Sequence, residues 1–236
     1  MGKMDLIEMI ETARDYARIV DLSYTLEENM PFWPTQPKYE ADIVETYEKG
    51  GESFHRAIRI SEHTGTHIDA PKHFIPGGRP VDQLDPRTVM GRGVTIHAEN
   101  IKPCGLLGLD QIKEFEKENG EIKAGDIIMI RFGWEDKYAI TPEDKGFVRD
   151  WPGLSGEAAE YLADKKVSAV GCDTLALDAF GVEKYICHEI LLGRGIPIME
   201  NLCGLSELPF FCAVIGLQNK FKGGSGAPIR LMAFVQ

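Results

Sequence analysis

The chain has 236 residues, 43% hydrophobic and 27% charged, with a net charge of −11. This is enough for one large domain with a substantial core, and the acidic balance argues against a nucleic-acid partner, which would need a basic face to meet phosphates. Five scattered cysteines without a Cys-x-x-Cys pair, no basic-then-apolar leader pattern and no membrane-length apolar run argue against disulfide, secreted and membrane readings, so a reducing cytoplasm is the expected setting.

Residues 4–18 are expected to form an amphipathic helix. Leu6, Ile10, Ala13 and Ala17 recur at helical spacing, and Asp5, Glu8, Glu11 and Asp15 lie elsewhere on its surface. We set residues 1–18 apart as an extension, a dimer arm or a cap, from a main domain over 19–236. Residues 19–26 read as a strand, after which Pro31, Pro34 and Pro37 enforce a loop around Trp33. The alternation Phe54, Arg56, Ile58, Ile60 predicts a half-buried strand over 54–61 that runs straight into residues 63–73. A turn is marked by Pro76-Gly77-Gly78. Further strands are expected over 93–97, 126–132, 167–171, 196–199, 211–217 and 229–235. Helices are expected over 109–119, stopping at Gly120, over 156–164 with Ser155 as cap, and over 184–192, ending at Gly193. Helices and strands are interspersed, and several strands are apolar on both faces, which favours α/β or mixed α+β over an all-β barrel.

The chemistry concentrates in one window: His63-Thr64-Gly65-Thr66-His67-Ile68-Asp69-Ala70-Pro71-Lys72-His73. It holds half of the six histidines. Neutral imidazole and carboxylate are ordinary ligands for Zn²⁺, Mn²⁺ or Fe²⁺. Gly65, Pro71 and the β-branched Thr64, Thr66 and Ile68 disfavour a helix. In extended chain His67 and Asp69 point the same way. Gly65 lets the chain bend His63 alongside, and Pro71 holds Ala70 extended. His73 then lies near the cluster without having to be a ligand.

These residues resemble the signature of the cyclase family of metal-dependent hydrolases, which includes bacterial kynurenine formamidases and isatin hydrolases. Similarity extends to Asp21-Leu22-Ser23 and Met30-Pro31-Phe32-Trp33-Pro34 upstream. Downstream it takes in His188 and Glu200, twelve residues apart, and Gly224-Ser225-Gly226-Ala227-Pro228-Ile229-Arg230. The resemblance implies an α/β, swivelling β/β/α fold with a barrel-like central sheet and peripheral helices. It implies His63, His67 and Asp69 as ligands of one divalent ion, Zn²⁺ first and Mn²⁺ second. Asp69, His188 and Glu200 would hold a second ion, with Asp69 bridging. By the same resemblance His73 is the proton donor and acceptor, and Trp33 an aromatic wall against the substrate; ordinary core burial would explain Trp33 equally well. The implied reaction is hydrolysis of a C–N amide bond by activated water. The substrate would be a small aromatic amide, N-formylkynurenine first and an isatin-type lactam second. A homodimer is expected. The N-terminal helix and an insertion over 133–150 set the chain apart from the shorter formamidase branch.

His67, Asp69 and His188 could form the facial triad of a non-haem iron oxygenase, but that leaves His63, His73 and Glu200 unexplained. A metal-stabilised binding protein without catalysis is the third class. His188-Glu189 is followed by Leu192, so no zincin motif exists. Cys187 has no base beside it in sequence and is expected to be structural. His55 and His97 fall on strand patterns and are not expected to be ligands. Gly223-Gly224-Ser225-Gly226 lacks the ending of a phosphate loop and suits a close backbone approach to the site. Arg230 could orient a substrate carboxylate or form a structural ion pair.

Overall fold

The computed structural model of the protein describes residues 5–141 and 143–236. Residues 1–4, which include the expected start of the first helix at Met4, and Pro142 in the 133–150 segment lie outside them. In chain order the elements are helix α1 (Leu6–Tyr16) and strands β1 (Arg18–Asp21), β2 (Glu40–Glu45), β3 (His55–Arg59), β4 (His67–Asp69), β5 (Met90–His97) and β6 (Leu106–Leu107). They continue with α2 (Leu109–Asn119), β7 (Ile127–Arg131), β8 (Gly153–Leu154), α3 (Gly156–Asp164), β9 (Ala169–Cys172), α4 (Ile186–Gly193), β10 (Ile198–Glu200), β11 (Phe211–Gln218) and β12 (Gly226–Val235).

Seven strands close into a ring in the order β12, β11, β5, β7, β9, β10, β4, with β4 returning to β12, and β1 adds along the outer edge of β12. Within this sheet β5, β7, β9 and β10 are parallel neighbours, and the other pairings are antiparallel. This is the mixed α/β architecture with a barrel-like sheet that the sequence implied. Strand periodicity sorts the core. On β7, Ile127 and Met129 join a cluster with Ile68, Met199, Val214 and Leu231. The intervening Ile128 and Ile130 join a second cluster with Ile112, Phe115, Leu162 and Leu191 of the helices. Successive side chains on a strand face opposite ways, so the helix-free cluster fills the barrel and the other packs α2, α3 and α4 against its outside.

Local signals set several boundaries. Ser155 Oγ accepts from the Ala158 amide at 3.2 Å and starts α3, while α2 stops at Gly120. Two expectations are corrected. The strand over 54–61 is not half-buried: β3 pairs only with β2, in a separate two-stranded ribbon, and all five of its residues are exposed. Its alternation is real, but none of the described residues covers its apolar face. Nor does that strand lead directly into the histidines. It ends at Arg59, and the histidine window forms a strand of its own, β4, beyond an intervening loop. Helix α1 forms where expected, capped by Asp5, and buries none of its residues.

Candidate metal centre

Strand β4 lies between β10 and β12. Its register sets His67 opposite Glu200 and Asp69 opposite Gly226. Ile68 points into the barrel with Met199, so His67, Asp69 and Glu200 project from the outer face together. Gly65 turns the chain at φ +64°, a conformation that disfavours a side chain, and a Cβ there would meet Leu26 at 2.5 Å. This turn returns His63 to Asp69, with Nδ1 2.6 Å from Oδ1. Ala70 is extended, and the short 3-10 turn Pro71–His73 follows, stacking His73 on His63 with ring centroids 4.0 Å apart. His188 arrives from the first turn of α4.

All five expected ligands therefore meet. His67 Nε2 lies 3.4 Å from Asp69 Oδ1 and 3.5 Å from Glu200 Oε2. His188 Nε2 lies 3.4 Å from Asp69 Oδ2 and 3.2 Å from Glu200 Oε1. Two triads, His63–His67–Asp69 and Asp69–His188–Glu200, each bring their ligating atoms within 4.8 Å of one another. The donor set fits a divalent metal. Two carboxylates are buried side by side, and Asp69 Oδ2 makes no hydrogen bond among the described residues, with His188 Nε2 lying 3.4 Å away. Buried like charges and an orphaned carboxylate oxygen are costly unless a cation meets them. Burial alone would raise the Asp69 pKa, but the imidazoles of His63 and His188 hold it well below the usual range. Burial and Asp69 push Glu200 upward, and His188 and His67 more than offset them.

A family model described as "Putative cyclase" matches residues 20–179. The chain belongs to the cyclase family. Among its curated relatives in the family, it is 31% identical to an isatin hydrolase of Roseibium aggregatum, over 92% of this chain and 91% of that protein. It is 26% identical to a kynurenine formamidase of Bacillus cereus, over 89% of this chain and 94% of that one. Among solved structures, isatin hydrolase A from Ralstonia solanacearum superposes with TM-score 0.88 at 26% identity, covering 100% of this chain and 99% of that one. An isatin hydrolase bound to the product analogue thioisatinate superposes with TM-score 0.89 at 27% identity, covering 98% and 99%.

In this cyclase-family chain the cluster opens into a cavity of about 210 Å³ lined by Trp33, Phe74, Tyr185, Leu175, Gln36 and Asn201. Trp33 meets Tyr185 and Trp151 edge-on, with centroids 6.3 and 5.9 Å apart. Within the 133–150 segment Trp134 and Phe147 are buried in the core, and Trp151, just beyond it, is buried as well. His73 also lines the cavity, and burial pushes its pKa down to about 4, against the pull of Asp69.

The sequence missed Asp178. Its carboxylate accepts from the amides of Cys187 and His188 at 2.9 and 3.2 Å and from His188 Nδ1 at 2.6 Å. It thereby leaves Nε2 bare toward the cluster. The Gly65 carbonyl does the same for His67, accepting from Nδ1 at 2.8 Å. An Asp ten residues before a histidine gives no spacing signal, because an irregular segment connects them. Tyr185, at the start of α4, and Phe74, which follows His73 in the family signature, were not singled out as cavity residues because aromatic side chains serve ordinary core packing equally well. Cys187 is structural: its thiol is buried and donates to the Leu154 carbonyl at 3.1 Å. His55 on the exposed β3 and His97 at the exposed end of β5 are not part of the cluster. Of the two readings of Arg230, the ion pair is the one present, with Asp21 at 2.5 Å on the surface.

Proposed function

We propose that this chain hydrolyses the C–N bond of a small aromatic amide at a divalent-metal centre held by His63, His67, Asp69, His188 and Glu200. The buried pair of carboxylates among three imidazoles, at the floor of an aromatic cavity, carries the proposal. When bound, Zn²⁺, or Mn²⁺ as the alternative, supplies Lewis-acid polarisation of the amide carbonyl and acidification of a water toward pKa ~7. His73 is neutral at neutral pH, so its imidazole accepts the proton released by the attacking water and returns it to the departing nitrogen. Trp33, Phe74 and Tyr185 hold an aromatic ring and exclude water. A two-His-one-carboxylate iron site would leave His63 and Glu200 without work, although both offer atoms to the cluster.

One observation bears on the choice between the two expected substrates. Apart from Glu200, which belongs to the metal cluster itself, no Asp, Glu, Lys or Arg among the described residues is in the cavity lining. N-formylkynurenine carries an ammonium and a carboxylate that need partners once desolvated; a neutral lactam of the isatin type carries neither. The cavity therefore favours the lactam. The test is initial-rate hydrolysis of isatin and of N-formylkynurenine by metal-stripped protein, alone and after Zn²⁺ or Mn²⁺ reconstitution. Metal-dependent opening of isatin well above the formamidase rate is expected. Equal rates with and without metal would overturn the hydrolase reading. His73→Ala should keep its metal and lose about 10²–10⁴-fold in rate, which a non-catalytic metal protein would not do.

The unit is proposed to be a cytoplasmic homodimer, with residues 1–18 as its arm. Leu6, Ile7 and Ile10 are about 70% exposed, and Ile43, Val44 and Ile58 on the ribbon are more than half exposed. An eleven-residue helix is marginal alone in water and needs a packed face. Ile7→Lys with Ile10→Lys should halve the mass in light scattering; an unchanged mass would refute the arm. Among the described residues no helix is long and apolar enough to cross a membrane.

A further inference from the structure

His67 and His188 are held from behind at Nδ1, by the Gly65 carbonyl and Asp178, so that both present Nε2 to the cluster. His63 is held the opposite way. Its Nδ1 faces Asp69, and its Nε2 lies 2.9 Å from Ser225 Oγ. Glu62 Oε2 in turn receives both the Ser225 amide, at 2.7 Å, and the Ser225 hydroxyl, at 2.8 Å. A carboxylate only accepts, so the hydroxyl proton points to Glu62 and the oxygen's lone pairs face His63. The geometry points to Glu62 and Ser225 as positioning residues that fix His63 as its Nε2–H tautomer and make it the one imidazole of the three that binds metal through Nδ1. This inference rests on the metal centre proposed above.

Two further observations support it. The ring has no freedom to turn. His73 stacks on it at 4.0 Å, and the backbone at Gly226 approaches so closely that a Cβ there would lie 2.6 Å from His63 Cε1. The other tautomer would also be self-blocking. With its proton on Nδ1, His63 would donate to Asp69 Oδ1, only 2.6 Å away, and one hydrogen bond would occupy two ligand atoms of the same ion. Holding the proton on Nε2 through Ser225 keeps both lone pairs available to metal. Such outer partners commonly change metal affinity by about 10–100-fold.

The test uses the full-length protein with ¹⁵N-labelled histidine. In the Zn²⁺-loaded wild type, long-range ¹H–¹⁵N correlations should show one metal-held imidazole protonated at Nε2 and two at Nδ1. Competition against a chromophoric chelator should show Ser225→Ala weakening one Zn²⁺ by about 10–100-fold and leaving the other unchanged. Glu62→Gln should give a smaller loss, because the amide oxygen still accepts. If all three imidazoles are protonated at Nδ1, or if Ser225→Ala binds both ions as wild type does, the relay is refuted and the metal centre stands. If the wild type binds no Zn²⁺, the metal centre falls and the inference with it. Should Ser225→Ala fail to fold, the wild-type spectrum alone decides.

Discussion

Gly226→Ala is the sharpest test of how the barrel and the metal centre share parts. Gly226 sits on β12 opposite Asp69. An added Cβ would lie 2.6 Å from His63 Cε1, 2.9 Å from His63 Nδ1 and 2.8 Å from the Ile68 carbonyl oxygen. The carbonyl belongs to β4, which is hydrogen-bonded on both sides and cannot retreat. The imidazole must therefore give way, by roughly 1 Å, to reach ordinary contact at about 3.6 Å. It would lose its 2.6 Å approach to Asp69 and its 2.9 Å contact with Ser225, and it would press on His73 behind it. Overpacking of this kind costs about 2–3 kcal/mol, equivalent to a fall in Tm of about 4–12 °C for a chain of this size. Thermal unfolding of the stripped protein reads the first effect, and Zn²⁺ stoichiometry reads the second, with one ion per chain weakened. A Tm within 1 °C of wild type together with two tightly held ions would refute the reasoning.

Glu116 accepts from Tyr161 at 2.5 Å, from Lys165 at 2.9 Å and from the Ile122 amide at 2.8 Å. Burial would raise its pKa, but these donors hold it below the usual range. A depressed folded-state pKa adds stability above the unfolded value and loses it as pH falls through the folded one. Glu116→Gln should therefore cost about 1–3 kcal/mol at pH 7, and the gap should close below about pH 4; a gap independent of pH in urea titrations would show that the charge is not responsible. Chelation of the loaded protein should lower its Tm by about 5–10 °C, since free ion at 100 times Kd stabilises by about 2.7 kcal/mol; an unchanged Tm would mean that the cluster binds no ion. Asp178→Asn should weaken the ion on the His188 side by about 10–100-fold without changing the His63 signals, measured by chelator competition; equal weakening of both ions would show general loosening instead.

Where chemistry and local geometry coincide in sequence, the chain could be read directly. His67 and Asp69 share a face because strands alternate, Gly65 turns because it can, Ser155 starts a helix by its side-chain cap and Gly120 ends one by its backbone freedom. The family signature added His188 and Glu200, which spacing alone would have left as ordinary residues. What remained illegible was tertiary. Asp178, Glu62 and Ser225 act on histidines through contacts made only after the barrel closes. The pattern over 54–61 marked an apolar face, but a pattern does not say what covers that face.

The centre takes its precision from the closure of the barrel. Strand β4 has only three residues, yet it is the seam that joins β10 to β12. Its middle residue, Ile68, is fully buried inside the barrel, and its two outer residues are proposed ligands. A slip of one residue would reverse all three, placing imidazole and carboxylate in the apolar interior. Burial of Ile68 and Met199 therefore selects the register that also aims His67, Asp69 and Glu200. The groups that would contact a substrate lie elsewhere, on the Trp33 loop, on Phe74 and on Tyr185 at the start of α4. Those positions can change without disturbing the seam. The candidate metal centre and the wall of the cavity thus rest on separate parts of one barrel, the seam and the loops beside it.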